Sequence, residues 1–223
     1  MELTDAVAVI TGANRGFGRH LAAQLIERGA KVYAAARDTE SIDLPGAVPL
    51  RLDVTDPESI SRAAATASDA TLLINNAGVA AGESLLDGDL DGIRRDMEVN
   101  YFGTLAVTRA FAPVLTANGG GAVLNVLSVL SWLHPGAAGS YSASKAAAWA
   151  LTNASRDLLA PAGITVTGLH VGYMDTDMAA NVPADRKTDP AVVAKLALEA
   201  VARGDAEVLG DELTHGVKAG LSR

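Results

Sequence analysis

Short apolar runs alternate with longer stretches of helical period from one end of the chain to the other. Runs at 5–11 (DAVAVIT), 31–36 (KVYAAA), 48–52, 71–75 (TLLIN), 122–127 (AVLNVL), 164–170 (ITVTGLH) and 206–209 read as strands. They are nearly continuous in apolar residues, the pattern of strands covered on both faces, as in a parallel sheet between helix layers. Between them, 17–29, 56–68, 91–117, 141–159 and 190–203 read as helices. Two carry start signals: Asp56-Pro57 and Asp189-Pro190 each put a capping carboxylate before a proline at the first helical position. Strand then helix, repeated along the chain, predicts an α/β fold, a doubly wound parallel sheet of about seven strands with helices on both faces. No repeat, low-complexity stretch or linker divides the 223 residues. They read as a single domain, with a cofactor half over roughly 1–120 and a catalytic and substrate half over roughly 121–223.

Composition narrows what such a sheet could serve. At 49% hydrophobic and 20% charged residues the chain is globular. A net charge of −8 argues against a nucleic-acid surface or an anionic membrane surface. The absence of cysteine removes disulfides, thiolate zinc sites and cysteine nucleophiles. His20, His134, His170 and His215 show no metal-ligand spacing, and no metal is expected. Met1-Glu-Leu-Thr-Asp5 lacks the basic start of a signal peptide and no window approaches a membrane span, so the expectation is a soluble, cytoplasmic protein. Asp87-Gly-Asp89-Leu-Asp91-Gly92 followed by Glu98 satisfies the EF-hand expression, but no helix has room before it and Arg94 and Arg95 add cations. That segment reads instead as a solvated helix start.

Two features carry chemistry. Gly12, Gly16 and Gly18 fall directly after the strand 5–11 and open the helix that follows, in Thr11-Gly-Ala-Asn14-Arg15-Gly16-Phe17-Gly18. In that context a glycine-rich turn lets the backbone approach a pyrophosphate at a helix N-terminus. Farther on, Tyr141 and Lys145 are four apart on a predicted helix and share a face. A cation there would favour phenolate and lower the tyrosine pKa toward neutrality, as acid–base work requires. Ser128 closes the strand 122–127, thirteen residues before Tyr141, and is preferred over Ser131 for that reason. The second strand ends Ala34-Ala35-Ala36 and Arg37 follows, with no carboxylate at the last strand position; Asp38 comes later. Arginine at that place accommodates a ribose 2′-phosphate where an acid would bind the 2′-OH, and Arg15 supplies a second cation. NADP(H) is therefore favoured over NAD(H).

The T-G-x-x-x-G-x-G turn with Ser128 and Tyr141-x-x-x-Lys145 resembles the short-chain dehydrogenase/reductase family, whose fold is the Rossmann type. The resemblance extends through Asp53-Val54, Asn75-Asn76-Ala77-Gly78 and Asn100 in Val-Asn-Tyr-Phe-Gly103, is strong to about residue 180 and weak beyond. It implies hydride transfer between nicotinamide and a carbonyl or secondary alcohol carbon. Tyr141 would be the proton donor or acceptor, Ser128 a hydrogen-bond donor to the same oxygen, and Lys145 a ligand of the ribose. Asn100 would hold a relay water. It further implies that Asn14, Phe17, Asp53, Val54, Asn76, Ala77 and Gly78 border the cofactor, and that Gly172 and Thr176 bracket its carboxamide and phosphate. Val129, Leu130, Trp132, Leu133, His134, Tyr173 and Met178 flank the centre and would line an apolar pocket for a small or medium substrate. A homodimer or homotetramer is implied through the outer faces of 91–117 and 141–159. Val171 stands where the family carries proline, and the tail from Glu207 lacks the usual ending. The competing readings are a nucleotide sensor without turnover and a cofactor-free dehalogenase; Ser128, Tyr141 and Lys145 together oppose the first, and Lys145 with the three glycines opposes the second.

Overall fold

Residues 1–221 are described by the computed structural model. Seven strands, β1 (Val7–Thr11), β2 (Lys31–Ala36), β3 (Ala47–Arg51), β4 (Leu72–Asn75), β5 (Gly121–Val126), β6 (Ile164–His170) and β7 (Glu207–Leu209), form one sheet in the order β3-β2-β1-β4-β5-β6-β7. Every pairing is parallel. Alternate residues of each central strand enter opposite cores. Ile10, Ile74 and Leu124 meet Leu21 and Leu25 of α1 (Gly16–Glu27) and Val193 and Leu198 of α6 (Pro190–Arg203). Val9, Leu73 and Val123 meet Ile60 of α2 (Pro57–Thr66) and Phe111 and Leu115 of α4 (Thr104–Ala117). This two-sided burial is why the strands read as unbroken apolar runs. Pro49 is tolerated because β3 is an edge strand, where a missing N–H costs no ladder bond.

The winding reverses between β1 and β4, and such a reversal opens a crevice at the carboxyl edge of the sheet. The 21-residue α5 (Gly139–Leu159) packs along β5 and β6 with Lys145 at the carboxyl end of β5, and α3 (Leu90–Met97) packs against α5. No helix among the described residues is long and apolar enough to cross a membrane.

Two elements depart from the pattern read above. The helix expected over 91–117 is broken: a π-helical segment, Glu98–Gly103, separates α3 from α4. Such wide turns accommodate groups that a regular helix would misplace. Here the segment carries Asn100 inward to Val79 and seats Gly103 so close to Val54 that a methyl group there would lie 2.9 Å from Val54 Cγ2. The second departure is α7 (Glu212–Gly220), which was not expected. Asp211 caps it, accepting from Thr214 N at 2.8 Å.

The calcium-like stretch is helix from Leu90 onward, and its Asp89 serves as N-cap, accepting from Asp91 N. Its reading as a wholly solvated start is corrected at one residue: Asp96 is completely buried.

Candidate active site

The turn from β1 into α1 is shaped by three glycines for two reasons. Gly12 and Gly16 adopt φ of 66° and 53°, the left-handed region where a side chain is strained. At Gly18 a methyl group would collide with the Gly12 carbonyl and the Asn76 amide. Thr11 Oγ1 accepts from Asn76 N at 3.0 Å and Ala77 N at 2.9 Å, while Asn76 Nδ2 donates to the carbonyls of Thr11 at 2.9 Å and Gly12 at 3.1 Å. The amide of Asn76, expected to border the cofactor, is thus spent on zipping β4 to the turn. Phe17 likewise turns its side chain into the first core, leaving only its backbone for a ligand.

The N-terminus of α1 has no side-chain cap and no acid in its first turn. Its leading N–H groups are free for an anion, and the cradle fits a dinucleotide pyrophosphate. Beside it Asn14 Nδ2 donates to Ser41 Oγ at 3.1 Å, and Arg15 pairs with Asp177 at 3.2 Å. Arg37 is exposed at the end of β2, whereas the Asp38 carboxylate is committed to capping Glu40 N at 3.0 Å. Asp53 accepts from Thr55 N at 2.9 Å and Oγ1 at 2.8 Å. The Thr55 N–H above all, and Arg37 more weakly, hold its carboxyl below the ordinary range.

Ser128 follows β5 and caps a short 3-10 turn, Val129–Ser131, accepting from Leu130 N at 3.1 Å. Tyr141 and Lys145 share one face of α5, with Lys145 Nζ 5.7 Å from the tyrosine ring centroid. The expected effect of that cation is reversed. Lys145 donates to the Val126 carbonyl at 2.9 Å, away from the phenol, and burial drives its ammonium down to about 8. Tyr141 keeps a partly exposed edge, yet burial pushes its phenol up to about 12, with Ser128 pulling down and Asp96 pushing further up. Desolvation, which spacing along a helix does not encode, outweighs the Ser128 hydrogen bond, and the Lys145 ammonium, turned to the Val126 carbonyl, does not lower the phenol.

Asn100 reaches the same place from the π segment. Its amide is fully engaged, accepting from Val79 N at 2.9 Å and donating to Val79 O and Ser144 Oγ at 2.9 Å each. A methyl group on Gly78 would sit 3.1 Å from Asn100 Oδ1 and 3.6 Å from Lys145 Nζ, so Gly78, Asn100 and Lys145 meet at one point.

Of the proposed pocket residues, Leu133, His134, Tyr173 and Met178 are exposed and Leu130 is half-buried. Val129 is corrected: it is buried, its backbone bonded to Val171 O at 2.9 Å. Trp132 is also buried, stacked on His170 at 3.7 Å. Thr176 lies over the glycine turn, 3.7 Å from where a Cβ of Gly16 would be. The Gly172 N–H donates to Asp211 Oδ2 at 2.6 Å and so ties the loop to α7, leaving its carbonyl and Cα for the groove. Sequence reasoning missed Asp211, whose partner is 39 residues away. It also missed Leu85, which lies across Gly139 at the start of α5, and the fully exposed Leu86 beside it.

An anion-ready helix start at the switch point of a doubly wound sheet, next to a serine, tyrosine and lysine, is the arrangement of a dinucleotide-dependent dehydrogenase. The family model for short chain dehydrogenase matches residues 6–187. An uncharacterized oxidoreductase of Staphylococcus aureus strain MW2 is 33% identical over 214 residues, covering 89% of this chain and 92% of that protein. Among solved structures, a short chain dehydrogenase from Burkholderia cenocepacia J2315 in complex with NADP has 42% identity and a TM-score of 0.95, covering 100% of this chain and 94% of that one. A short-chain dehydrogenase/reductase from Burkholderia phymatum in complex with NAD has 27% identity and a TM-score of 0.87, covering 100% and 97%. The chain belongs to the short-chain dehydrogenase/reductase family and is an NAD(P)-dependent oxidoreductase.

Proposed function

We propose that the protein reduces small to medium apolar aldehydes or ketones, and oxidises the matching alcohols, with NADP(H) as its preferred cofactor. The observation that carries the reading is the meeting of Ser128, Tyr141 and Lys145 beside an uncapped α1 N-terminus. The bound nicotinamide would supply or accept the hydride. The turn at Gly12, Gly16 and Gly18 holds the pyrophosphate, and Arg15 and Arg37 neutralise the 2′-phosphate. Asp53 and Val54 border the adenine, Ala77 and Gly78 the adjoining ribose, and Thr176 covers the phosphate from above. Ser128 donates a hydrogen bond to the substrate oxygen and stabilises charge as it develops there.

Tyr141 gives its proton to that oxygen. With its phenol raised to about 12 it is protonated at neutral pH, a state suited to reduction, and the oxidation rate rises with pH as phenolate forms. Lys145 holds the ribose hydroxyls and passes protons toward solvent by way of a water at Asn100. The Asn100 amide is engaged and its backbone carbonyl accepts from Thr104 Oγ1 at 3.0 Å, so that water shares the carbonyl through its second lone pair. Leu85, Leu86, Leu133, Tyr173 and Met178 give the entrance its apolar character, with His134 among them. Pairing of two or four copies through the outer faces of α4 and α5 belongs to the same reading, and a monomer mass by light scattering would remove it.

The test is oxidation of NADPH and NADH over a panel of aldehydes and ketones. Tyr141→Phe lowers kcat by at least about a hundredfold while nucleotide binding is retained. A phenylalanine variant as active as wild type, or no turnover with any carbonyl despite NADPH binding, overturns the assignment.

A further inference from the structure

Asp96 is the one carboxylate of α3 that the core encloses. It is completely buried, and its two oxygens have two different partners: Oδ1 accepts from Ala81 N at 2.9 Å and Oδ2 from Ser140 Oγ at 2.7 Å. Neither partner is a cation. A buried carboxylate with only neutral donors is costly to keep, and a lysine or arginine would be its ordinary companion.

Both partners lie next to the reaction centre. Ser140, itself buried, immediately precedes Tyr141, and Ala81 opens the loop that follows Gly78 and Val79. α5 starts at Gly139 with no side-chain cap and no acid of its own in the first turn. Asp96, from another helix, therefore places a negative charge where the N-terminus of α5 lacks one.

We propose that Asp96 is a positioning residue of the reaction centre: its carboxylate ties the first turn of α5, through Ser140, to the loop at Ala81, so fixing Tyr141, and supplies the anion that balances the buried Lys145. This deepens the reading of Tyr141 as proton donor and rests on it. The titratable groups around the pair are few. α3 adds Asp91, Arg94 and Arg95, all exposed; the π segment adds exposed Glu98 and half-buried Tyr101; α4 adds exposed Arg109; β6 adds His170, which is buried and held neutral. Among the described residues Asp96 is thus the one buried carboxylate, set beside Tyr141 through Ser140, and its negative charge favours the protonated form of both Tyr141 and Lys145.

Asp96→Asn separates charge from geometry. The asparagine keeps both bonds, with its oxygen on Ala81 N and its amide donating to a rotated Ser140 hydroxyl. The Lys145 ammonium is followed by NMR of nucleotide-free protein labelled at the lysine ε-carbon, with Lys145→Met assigning the signal. The titration midpoint falls by about one pH unit in Asp96→Asn, and the alkaline limb of carbonyl reduction moves the same way. An unmoved midpoint in the folded variant overturns the charge role, even if the variant melts earlier. Ser140→Ala keeps the charge and cuts the tie, so kcat falls at least about tenfold while the Lys145 midpoint does not fall. A wild-type kcat in Ser140→Ala overturns the positioning role, and this variant carries the test where the asparagine does not fold. A wild type that reduces no carbonyl would sink the proposed carbonyl reduction alone, because the NMR arm is read without turnover.

Discussion

The two sides of the crevice are held together by different chemistry. At the tips of β1 and β4 the buried bonds are neutral: the Thr11 hydroxyl, the Asn76 amide and backbone groups close the nucleotide turn. At the tips of β5 and β6 the buried groups ionise. Lys145 lies there, bonded to the Val126 carbonyl, and so does His170, which is fully buried with Nδ1 3.2 Å from the Ser128 carbonyl and Nε2 3.5 Å from Glu207; Asp96 joins that side through Ser140 and reaches the loop after β4 at Ala81. Lys218 of α7 engages Glu207 in turn at 2.8 Å. Neutral hydrogen bonds do not titrate. The side of the glycine turn should therefore keep its shape over a wide pH range, while the side proposed to handle protons should respond to pH.

The largest expected effect lies on the ionisable side. Burial lowers His170 from 6.5 to about 4, although the Ser128 carbonyl and Glu207 pull the other way. As pH falls from 6.5 toward 4 the unfolded chain takes up a proton at this residue and the folded chain does not. Folding stability present above that range is lost across it, to a total of about 3 kcal/mol. Thermal unfolding followed between neutral and mildly acid pH should show the wild type losing more than His170→Gln does. Equal losses would mean that His170 is protonated in the fold and that Glu207 outweighs its burial.

A smaller effect, of opposite character, is expected at the nucleotide turn. Thr11→Val keeps the shape and leaves the N–H groups of Asn76 and Ala77 without their acceptor, at a cost of about 1–3 kcal/mol. Denaturant unfolding should give the same loss at acid and alkaline pH. A loss that varied with pH would break the contrast between the two sides.

The same contrast decides what could be read from the sequence. The nucleotide turn was legible because its requirements are backbone requirements, and glycines at 12, 16 and 18 meet them locally. The strand and helix periods were legible because the sheet is buried on both faces. The ionisable side was legible only as a set of residue types. The tyrosine shift came out reversed because desolvation depends on what packs around α5. Asp96 looked like one more acid in a solvated helix start, since nothing near it in sequence reveals Ser140, 44 residues on. The bond from Gly172 to Asp211 was illegible because Asp211 sits in a tail with no recognisable pattern. The π segment left the apolar period of 91–117 almost unchanged.

The smallest effect on stability, and the sharpest on specificity, is expected where the two sides touch. Arg15 at the glycine turn pairs with Asp177 of the loop carrying Thr176, and both side chains are about three-quarters exposed, at 73% and 78%. An exposed pair contributes less than about 1 kcal/mol, so Arg15→Ala should barely change the unfolding midpoint. The same weakness leaves the guanidinium free to change partner when a 2′-phosphate arrives, since a dianion with several acceptor oxygens competes well with one solvated carboxylate. Arg15→Ala should therefore raise the KM for NADPH by about tenfold and leave that for NADH nearly unchanged. Asp177→Ala, which frees Arg15 without removing it, should change the NADPH value in the opposite direction or not at all. If Arg15→Ala weakens both nucleotides equally, Arg15 serves only to fasten the loop, and the proposed preference for NADP(H) must rest on Arg37 alone.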